Sequence, residues 1–367
     1  MAPMDFNRDE FFMRQAVRLA EEGRGFTSPN PVVGACIVRS GRILSKGFHR
    51  RFGAPHAEVE VIKKAWGKTK GTTLYVSMEP CSTYGKTPPC VQTIIDAKIG
   101  RVVIGMLDPN PKHSGRGVSI LRKQGVRVTT GVLEEQARIQ NESFSKWITK
   151  GFPFGALKMA ESLDGKIALE SGQSRWISGP ESRKWVHKLR TGHDAVMVGT
   201  NTLLRDNPRL TARGGHGNWL PWKIVLDPRG QCRSNMRIFL AGGPVLLACS
   251  EKYFNHVTRK FRSTGIVIIP LKAKGDYLNL KQLFKHLGGL GITSVLAEGG
   301  GELSWSLISA GLIDKIYWII APKLIGGKNS KTSVEGCGVA SLDQSYMVKR
   351  MNLQRLGSDL LIEGYLK

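Results

Sequence analysis

The sequence of 367 residues lacks any uncharged apolar run of the about 18–20 residues that a membrane-spanning helix needs. Its most apolar stretches, residues 32–38 and 316–321, have only the length of buried strands. The amino-terminal segment carries Asp5, Asp9 and Glu10 and has no hydrophobic signal core, which favours an ordinary helix over a targeting peptide. We therefore expect a cytoplasmic protein without a membrane partner.

Cysteine is scarce as well, with 6 residues spread widely and unevenly along the chain. This number is too small for a disulfide framework in a chain of this length. In a cytosolic protein, a close pair of cysteines more often binds a metal or takes part in catalysis. Cys81 and Cys90 form such a pair.

Acidic residues are few beside basic ones, 29 against 54, which leaves a formal net charge of +25. Such an excess favours association with polyanions or phosphorylated metabolites. Lys and Arg never occur more than two in a row, however, and aromatic residues are not interleaved with them as in single-strand binding surfaces. We therefore expect small phosphorylated partners and no dedicated nucleic-acid surface.

The length favours two domains, each long enough to bury a core. In residues 1–150, short β-branched runs alternate with helical patterns, which predicts an α/β domain. The predicted strands are 32–39, 43–48, 73–77 and 101–106, and the predicted helices are 9–22, 57–66, 88–97 and 133–150. The last helix ends at Gly151, which we take as the boundary of a second domain, 151–367.

The second domain shows another alternation of strands and helices without repeating the first. Its predicted strands are 154–159, 195–199, 223–227, 245–249, 266–270, 294–297 and 315–321, and its predicted helices include 180–190, 280–286 and 302–310. No Rossmann or Walker motif is present. The glycine cluster 298–302 lies between a strand and a helix, where backbone N–H groups can bind phosphate, although such a run alone is more often a loop.

The most specific motif combines His56, Glu58, Cys81 and Cys90. One imidazole and two thiolates give Zn²⁺ three protein ligands and leave the fourth position open, as in catalytic zinc sites. Glu58 is the natural proton carrier beside a zinc-bound water, and the pattern is similar to the signature of zinc deaminases. Here eight residues separate the two cysteines, against two in the general signature.

Two other interpretations of these residues remain open. They could be ordinary core residues, or they could form a closed structural zinc site. A closed site, however, would need a fourth protein ligand and would give Glu58 no role.

The segments 30–34, 47–49, 53–59, 79–82 and 85–90 resemble the deaminase half of the bifunctional riboflavin-biosynthesis deaminase/reductase family, which shows the same long cysteine spacing. The resemblance implies a cytidine-deaminase-like α/β/α fold. It also implies zinc-dependent replacement of the 2-amino group of 2,5-diamino-6-ribosylamino-4(3H)-pyrimidinone 5′-phosphate by oxygen, with Glu58 as the catalytic residue. The implied substrate-binding residues are Asn30, His49, Lys86, Asp108 and Asn110.

The chain departs from that family at two positions. Thr83 stands where the family commonly has histidine, and Ser178 stands where it usually has threonine. The zinc ligands and Glu58 are unchanged, so we expect deaminase activity to be retained.

The segments 158–168, 174–177, 198–202, 206–211, 226–228 and 298–300 resemble the reductase half of the same family. This resemblance implies a dihydrofolate-reductase-like α/β fold and an NADPH-dependent hydride transfer to C1′ of the ribosylamino sugar, which opens it to a ribityl chain. The implied NADPH-binding residues are Ala160, Trp176, Thr202, Asp206, Gly300, Gly301 and Glu302. The implied substrate-binding residues are Ser174, Arg190, Leu210, Arg213 and Glu298.

Two chemical roles in the reductase half are expected on top of these. Arg190 and Arg213 suit the 5′-phosphate of the substrate, because guanidinium groups bind phosphate through two parallel hydrogen bonds. Lys158 and Glu298 are our candidates for the proton transfer that accompanies ring opening. The chain is thus expected to be a bifunctional enzyme using Zn²⁺ and NADPH, and a homo-oligomer, a dimer or higher.

Two rival functions differ in what they predict. A base deaminase acting on RNA would need a basic, aromatic-bearing surface around the zinc pocket, and it leaves the reductase motifs unexplained. A nucleic-acid-binding protein with a structural zinc would tolerate Glu58→Gln without loss of function.

Overall fold

The computed structural model describes residues 8–84, 88–213, 220–262 and 265–366. The chain divides into two compact units, of which the first ends at Gly151 and the second begins at Phe152. Within the described residues, no helix has the length and apolar character that crossing a membrane requires.

The first unit is a five-stranded sheet covered by helices on both faces. Its strands are β1 (Gly34–Arg39), β2 (Arg42–Phe48), β3 (Thr73–Met78), β4 (Arg101–Met106) and β5 (Arg127–Thr130). Its helices are α1 (Arg8–Ala20), α2 (Ala57–Lys64), α3 (Cys90–Asp96), α4 (Arg116–Lys123), α5 (Glu134–Gln140) and α6 (Glu142–Lys150). The strand order is β2-β1-β3-β4-β5, with β3, β4 and β5 parallel and the pairs of β1 antiparallel.

The alternation of side chains along β1 explains the two covered faces. Cys36 and Val38 pack with Phe12 and Met13 of α1, whereas Ile37 packs on the opposite face among residues of α2 and α3. The first unit is therefore an α/β/α layer structure, which confirms the predicted fold class. The turn between β1 and β2 has positive φ at both Ser40 and Gly41, as a two-residue hairpin requires.

The helix predicted over 133–150 is wrong as a single element, because the chain breaks at Asn141 into α5 and α6. Asn141 has φ −113° and ψ 22°. Its side chain accepts a hydrogen bond from the Val32 backbone N–H (3.0 Å) and donates one to the Val32 carbonyl (3.1 Å). A buried partner 109 residues away thus interrupts a locally helical pattern.

The second unit is built on a nine-stranded sheet with the order β10-β9-β8-β7-β13-β6-β14-β16-β15. These strands are β6 (Phe154–Ser162), β7 (Ala195–Gly199), β8 (Trp222–Leu226), β9 (Val245–Ser250), β10 (Val267–Leu271), β13 (Ser294–Ala297), β14 (Lys315–Ala321), β15 (Val348–Leu356) and β16 (Asp359–Leu366). A short ribbon consists of β11 (Ala273–Lys274) and β12 (Tyr277–Leu278). The first seven strands in this order, from β10 across to β14, are parallel to one another. At the other edge, β16 pairs antiparallel with β14, and β15 pairs antiparallel with β16.

Helices cover both faces of this sheet too. They are α7 (Pro180–Thr191), α8 (Thr200–Asp206), α9 (Arg237–Leu240), α10 (Phe254–Lys260), α11 (Leu280–Gly289) and α12 (Gly301–Ser309). The core on one face includes Leu283 of α11 and Leu307 of α12. The other face is covered by Val186 of α7 and Val257 of α10, among others. Parallel strands place their carboxyl ends at one edge, where ligands bind in open α/β sheets.

Candidate active sites

In the first unit, the structure brings together the three predicted zinc ligands. Their ligand atoms all lie within 4.8 Å of one another, with Nδ1 of His56 3.2 Å from Sγ of Cys90 and 3.6 Å from Sγ of Cys81. His56 precedes α2 as its N-cap, as the predicted helix 57–66 implies. Cys90 is the first residue of α3, which begins two residues after the predicted start at position 88. Each helix start thus presents one ligand to the same point.

The two sulfur atoms influence each other strongly. The hydrogen bond with Cys90, helped by His56 and the Cys90 backbone N–H and opposed by burial, lowers the pKa of Cys81 to about 4. The same contact raises the pKa of Cys90. Two adjacent anionic sulfur atoms repel each other, and a cation bound between them would remove this repulsion. An imidazole with two thiolates is a donor set that suits Zn²⁺.

Glu58 lies in the first turn of α2 beside this cluster and is only 3% exposed. Its Oε2 is buried and has no hydrogen-bond partner among the described residues. Burial, opposed by the nearby His56, raises the pKa of Glu58 to about 7. A buried carboxylate oxygen without a partner is costly in a folded protein, and it fits a site completed by a metal-bound water.

Two further predicted residues lie next to the metal-ligand cluster: His49 contacts His56, and Asn30 contacts His49. The imidazole rings of His49 and His56 meet edge to face at 5.1 Å. Nδ1 of His49 lies 3.1 Å from the Pro55 carbonyl, which can only accept, so Nδ1 carries the proton and Nε2 accepts from the amide of Asn30 at 3.2 Å. Burial lowers the pKa of His49, in accord with a neutral ring.

Asp108 and Asn110 share a loop after β4. The backbone N–H of Asn110 donates to the Asp108 carboxylate at 2.8 Å, which forms a side-chain turn of the kind that Asp favours. Burial raises the pKa of Asp108, and the neighbouring Cys81 acts in the same direction. Thr83 is exposed, and Lys86 lies outside the described residues.

The second unit contains a cleft of about 1720 Å³ that runs along the carboxyl ends of β6, β13, β7 and β8. This volume exceeds the roughly 300–1,000 Å³ of a pocket for one small ligand, so a dinucleotide and a substrate have room together. All of the predicted reductase residues line it: Lys158, Ala160, Ser174, Trp176, Arg190, Thr202, Asp206, Leu210, Arg213, Glu298, Gly300, Gly301 and Glu302.

A largely buried charge cluster forms part of the wall of this cleft. Arg190 donates to both carboxylate oxygens of Glu298, at 2.6 and 2.9 Å, and Nζ of Lys158 lies 3.6 Å from the same carboxylate. Burial alone raises the pKa of Glu298, but the charges of Arg190 and Lys158 outweigh it and hold the value at about 2. Burial lowers the pKa of Lys158.

The guanidinium of Arg190 already forms hydrogen bonds to other groups of the protein. Besides its two bonds to Glu298, its Nη1 donates to the Thr211 carbonyl at 3.1 Å. The guanidinium is thus fixed in place, whereas Arg213 on the same cleft is exposed.

Ser174, Asp206 and Trp176 lie together on another part of the cleft lining. Ser174 donates to the Asp206 carboxylate at 3.1 Å. The ring of Trp176 is 64% exposed and stacks under the guanidinium of Arg183, whose Cζ lies 4.6 Å from the ring centre. An aromatic ring that is exposed to this extent offers a surface on which a flat ring can stack.

The glycine turn sits at the start of α12. Gly300 is the N-cap, and a Cβ there would meet nothing within 4 Å, so the turn is open to the cleft. A Cβ on Gly301 would lie 2.6 Å from the Thr332 carbonyl and 2.9 Å from the backbone N of Glu335. The first N–H groups of a nine-residue helix thus face a space that a phosphate can enter, which fits a dinucleotide cofactor.

Both units are similar to known protein families. The family model of the cytidine and deoxycytidylate deaminase zinc-binding region matches residues 6–106, and that of the RibD C-terminal domain matches residues 153–362. The riboflavin biosynthesis protein RibD of Aquifex aeolicus is 40% identical over 354 residues, which cover 96% of this chain and 97% of the relative. The chain belongs to the RibD family.

Other RibD proteins are also similar to this chain over nearly its whole length. RibD of Escherichia coli is 35% identical over 367 residues, which cover 97% of this chain and 98% of the relative. A crystal structure from Thermotoga maritima, described as a diaminohydroxyphosphoribosylaminopyrimidine deaminase/5-amino-6-(5-phosphoribosylamino)uracil reductase, has a TM-score of 0.86 at 36% identity and covers 98% of this chain and 99% of its own. RibD proteins join a zinc deaminase domain to an NADPH-dependent reductase domain, and this chain carries both.

The structure also shows residues of these RibD sites that sequence reasoning missed. Glu79 is 6% exposed and joins the metal-ligand segment to the loop of Asp108. His187 lies on the reductase cleft and donates from Nδ1 to the Thr211 carbonyl at 3.0 Å. The signal for His187 was its spacing of three from Arg190 on one helix, which puts both on the same face.

Proposed function

We propose that the first unit hydrolyses the 2-amino group of 2,5-diamino-6-ribosylamino-4(3H)-pyrimidinone 5′-phosphate, consuming water and releasing ammonia. The observation that carries this proposal is the cluster of His56, Cys81 and Cys90 beside the unpartnered Oε2 of Glu58. These three residues would hold Zn²⁺. When bound, the ion supplies a water of lowered pKa.

Glu58 would move the protons of this reaction. Its Oε2 has no partner to compete for a proton, and its position in α2 next to His56 sets it beside the metal ligands. The carboxylate would take a proton from water and return it to the leaving amine. The neutral His49, with its Nε2 bonded to Asn30, would hold Asn30 at the pocket, and Asp108 and Asn110 would hold the pyrimidine from the loop after β4.

We propose that the second unit reduces the ribosyl group of 5-amino-6-(5-phosphoribosylamino)uracil to a ribityl chain. NADPH would bind along Ala160, Trp176, Thr202, Asp206 and the turn Gly300, Gly301 and Glu302, and it supplies the hydride that goes to C1′. Opening of the sugar ring then requires a proton at the ring oxygen.

Glu298 and Lys158 of the charge cluster would have different roles in that proton transfer. Glu298 stays ionised because Arg190 and Lys158 hold its pKa low, so it serves as an anchor and not as the acid. Lys158, whose pKa is lowered by burial, is the better proton donor of the two. The exposed Arg213 is the freer guanidinium for the substrate phosphate, while Ser174 and Leu210 would contact the rest of the substrate.

The proposal also covers the binding partners, the localisation and the oligomeric state of the enzyme. The RibD activity implies small phosphorylated pyrimidines as substrates and needs neither nucleic acid nor a membrane. We propose a cytoplasmic enzyme that works as a homo-oligomer, a dimer or higher.

A coupled assay tests the proposal. The full chain, with its zinc content measured on the same sample, is given the diaminopyrimidine phosphate and NADPH. We expect ammonia to be released first, and NADPH to be oxidised only after deamination, in an amount that matches the ammonia. Deamination of an RNA base but not of the pyrimidine phosphate would instead support the rival function.

A further inference from the structure

We propose that Glu79 is a positioning residue of the deaminase site, which holds the loop of Asp108 and Asn110 in register with the metal-ligand segment. The inference deepens the proposed deaminase function and rests on it. Glu79 follows directly after the last residue of β3 and lies two residues before Cys81. It has no role in the proton or metal chemistry described above.

One carboxylate oxygen of Glu79 closes the substrate loop at both ends. Oε2 accepts a hydrogen bond from the backbone N–H of Asp108 at 3.1 Å, and another from that of Gly115 at 2.9 Å. The loop between these residues carries Asn110. A single oxygen atom therefore fixes the distance between the entry and the exit of the loop.

The second oxygen ties the same side chain to the helix that follows. Oε1 accepts from the backbone N–H of Val118 in the first turn of α4, at 3.3 Å. The backbone N–H of Glu79 in turn donates to the Met106 carbonyl at 2.9 Å. β4, the substrate loop and α4 are thus all bonded to the residue that leads into Pro80 and Cys81.

A close backbone approach supports the same coupling independently. A Cβ on Gly117 would lie only 2.4 Å from the carbonyl oxygen of Pro80. The start of α4 therefore sits directly on the residue before the metal ligand Cys81. Because both are backbone atoms, any side chain at position 117 must push the two segments apart.

The chemistry requires an acceptor on both oxygens. An ionised carboxylate has no donor and can accept from all three N–H groups, whereas the amide of glutamine would turn an NH₂ group towards at least one of them. An aspartate keeps the charge but is one methylene shorter, so it cannot reach both ends of the loop. An unpaired buried N–H costs about 1–3 kcal/mol.

The test uses Glu79→Gln, Glu79→Asp and Gly117→Ala in the full chain, with Glu134→Gln as the control. Glu134 makes an exposed ion pair with Arg138 in the same unit. We expect the three site variants to keep the zinc content and the reductase activity of the wild type. Their KM for the diaminopyrimidine phosphate should rise about 10- to 100-fold, with kcat changed less than KM. The control should change none of these.

Hydrogen exchange gives a readout that needs no substrate. The amide protons of Asp108, Gly115 and Val118 should exchange faster in Glu79→Gln than in the wild type. Unchanged KM and unchanged exchange in the variants would overturn the inference, as would a loss of zinc in parallel with KM, which would indicate a general structural role. If the wild type released no ammonia while the exchange rates changed as expected, the proposed deaminase function would fail and the coupling would stand.

Discussion

Two buried glutamates show how environment decides the chemistry of one residue type. Glu58 has an oxygen without a partner among the described residues, and burial raises its pKa to about 7. The side chain of Glu298 is 8% exposed, but Arg190 and Lys158 hold its pKa at about 2. The first side chain is suited to exchange protons at neutral pH, and the second to remain an anion.

The role of Glu58 predicts a selective defect in Glu58→Gln. The variant should retain zinc, because Glu58 is not one of the three clustered ligands. Release of ammonia from the diaminopyrimidine phosphate should fall by at least about 10²-fold, since the proton carrier is lost. NADPH oxidation with the already deaminated substrate should continue at the wild-type rate. Ammonia release at the wild-type rate would remove Glu58 from the mechanism.

The low pKa of Glu298 predicts how stability depends on acid. A carboxyl whose pKa lies below its ordinary 4.5 in the folded chain stabilises folding above that pH, and this contribution is lost as the pH falls towards 2. Urea unfolding of Glu298→Gln should therefore give a free energy of unfolding that changes less between pH 4.5 and 2 than in the wild type. The exposed-pair variant Glu134→Gln serves as the control, and an equal slope in Glu298→Gln would contradict the assignment.

At the scale of elements, both sites are built where a helix begins. His56, Cys90 and Gly300 are an N-cap, a first helical residue and an N-cap respectively. Helix starts leave backbone N–H groups without intrahelical partners, so they favour thiolate and phosphate. The tight packing of α12 against residues 332–335 then fixes where its free N–H groups point.

This packing predicts opposite results for two glycine substitutions. Gly301→Ala places a Cβ 2.6 Å from the Thr332 carbonyl, so α12 or the segment beside it must move. We expect calorimetric titration to show NADPH binding about tenfold weaker or more, with deamination unchanged. Gly289→Ala in α11, where a Cβ meets nothing within 4 Å, should bind NADPH as the wild type does. Equal affinities in the two variants would argue against the turn as a cofactor site.

Sequence reasoning predicted most elements because their apolar residues follow helix or strand periodicity. Some elements, such as α4 and β5, were not predicted, and one predicted helix was wrong because a long-range contact interrupts it. The break at Asn141 depends on Val32, which local patterns do not contain. The β15–β16 hairpin lacked an alternating signal, because most residues of β15 are exposed. The metal motif was visible because its residue types are rare together, whereas Glu79 contributes only backbone contacts that no spacing rule reveals.

At the scale of the whole molecule, the charge of +25 and the basic lining of the reductase cleft act on anionic ligands. The basic residues that line the cleft include Lys158, Arg183, Arg205 and Arg213. Both of its proposed ligands, NADPH and the pyrimidine substrate, carry phosphate. Positively charged surfaces raise association rates with anions, and added salt screens this attraction. The charge therefore bears on the rate of encounter and not on the choice of reaction.

Added salt should accordingly lower kcat/KM for both activities while leaving kcat nearly unchanged. The measurement is a series of initial rates at increasing KCl concentration with NADPH or the diaminopyrimidine phosphate as the varied substrate. A variant such as Arg213→Gln should show a shallower dependence in the reductase reaction and the wild-type dependence in deamination. A kcat/KM that does not change with salt would exclude electrostatic steering.

The immobilised Arg190 has a consequence for the energetics of recognition. Arginine side chains carry about 2 kcal/mol of rotamer entropy, which a ligand must usually overcome when it orders them. Here the bonds to Glu298 and Thr211 remove that freedom during folding. The guanidinium is therefore already fixed in the cleft wall before any ligand arrives, and a substrate that binds here as proposed would meet a rigid group.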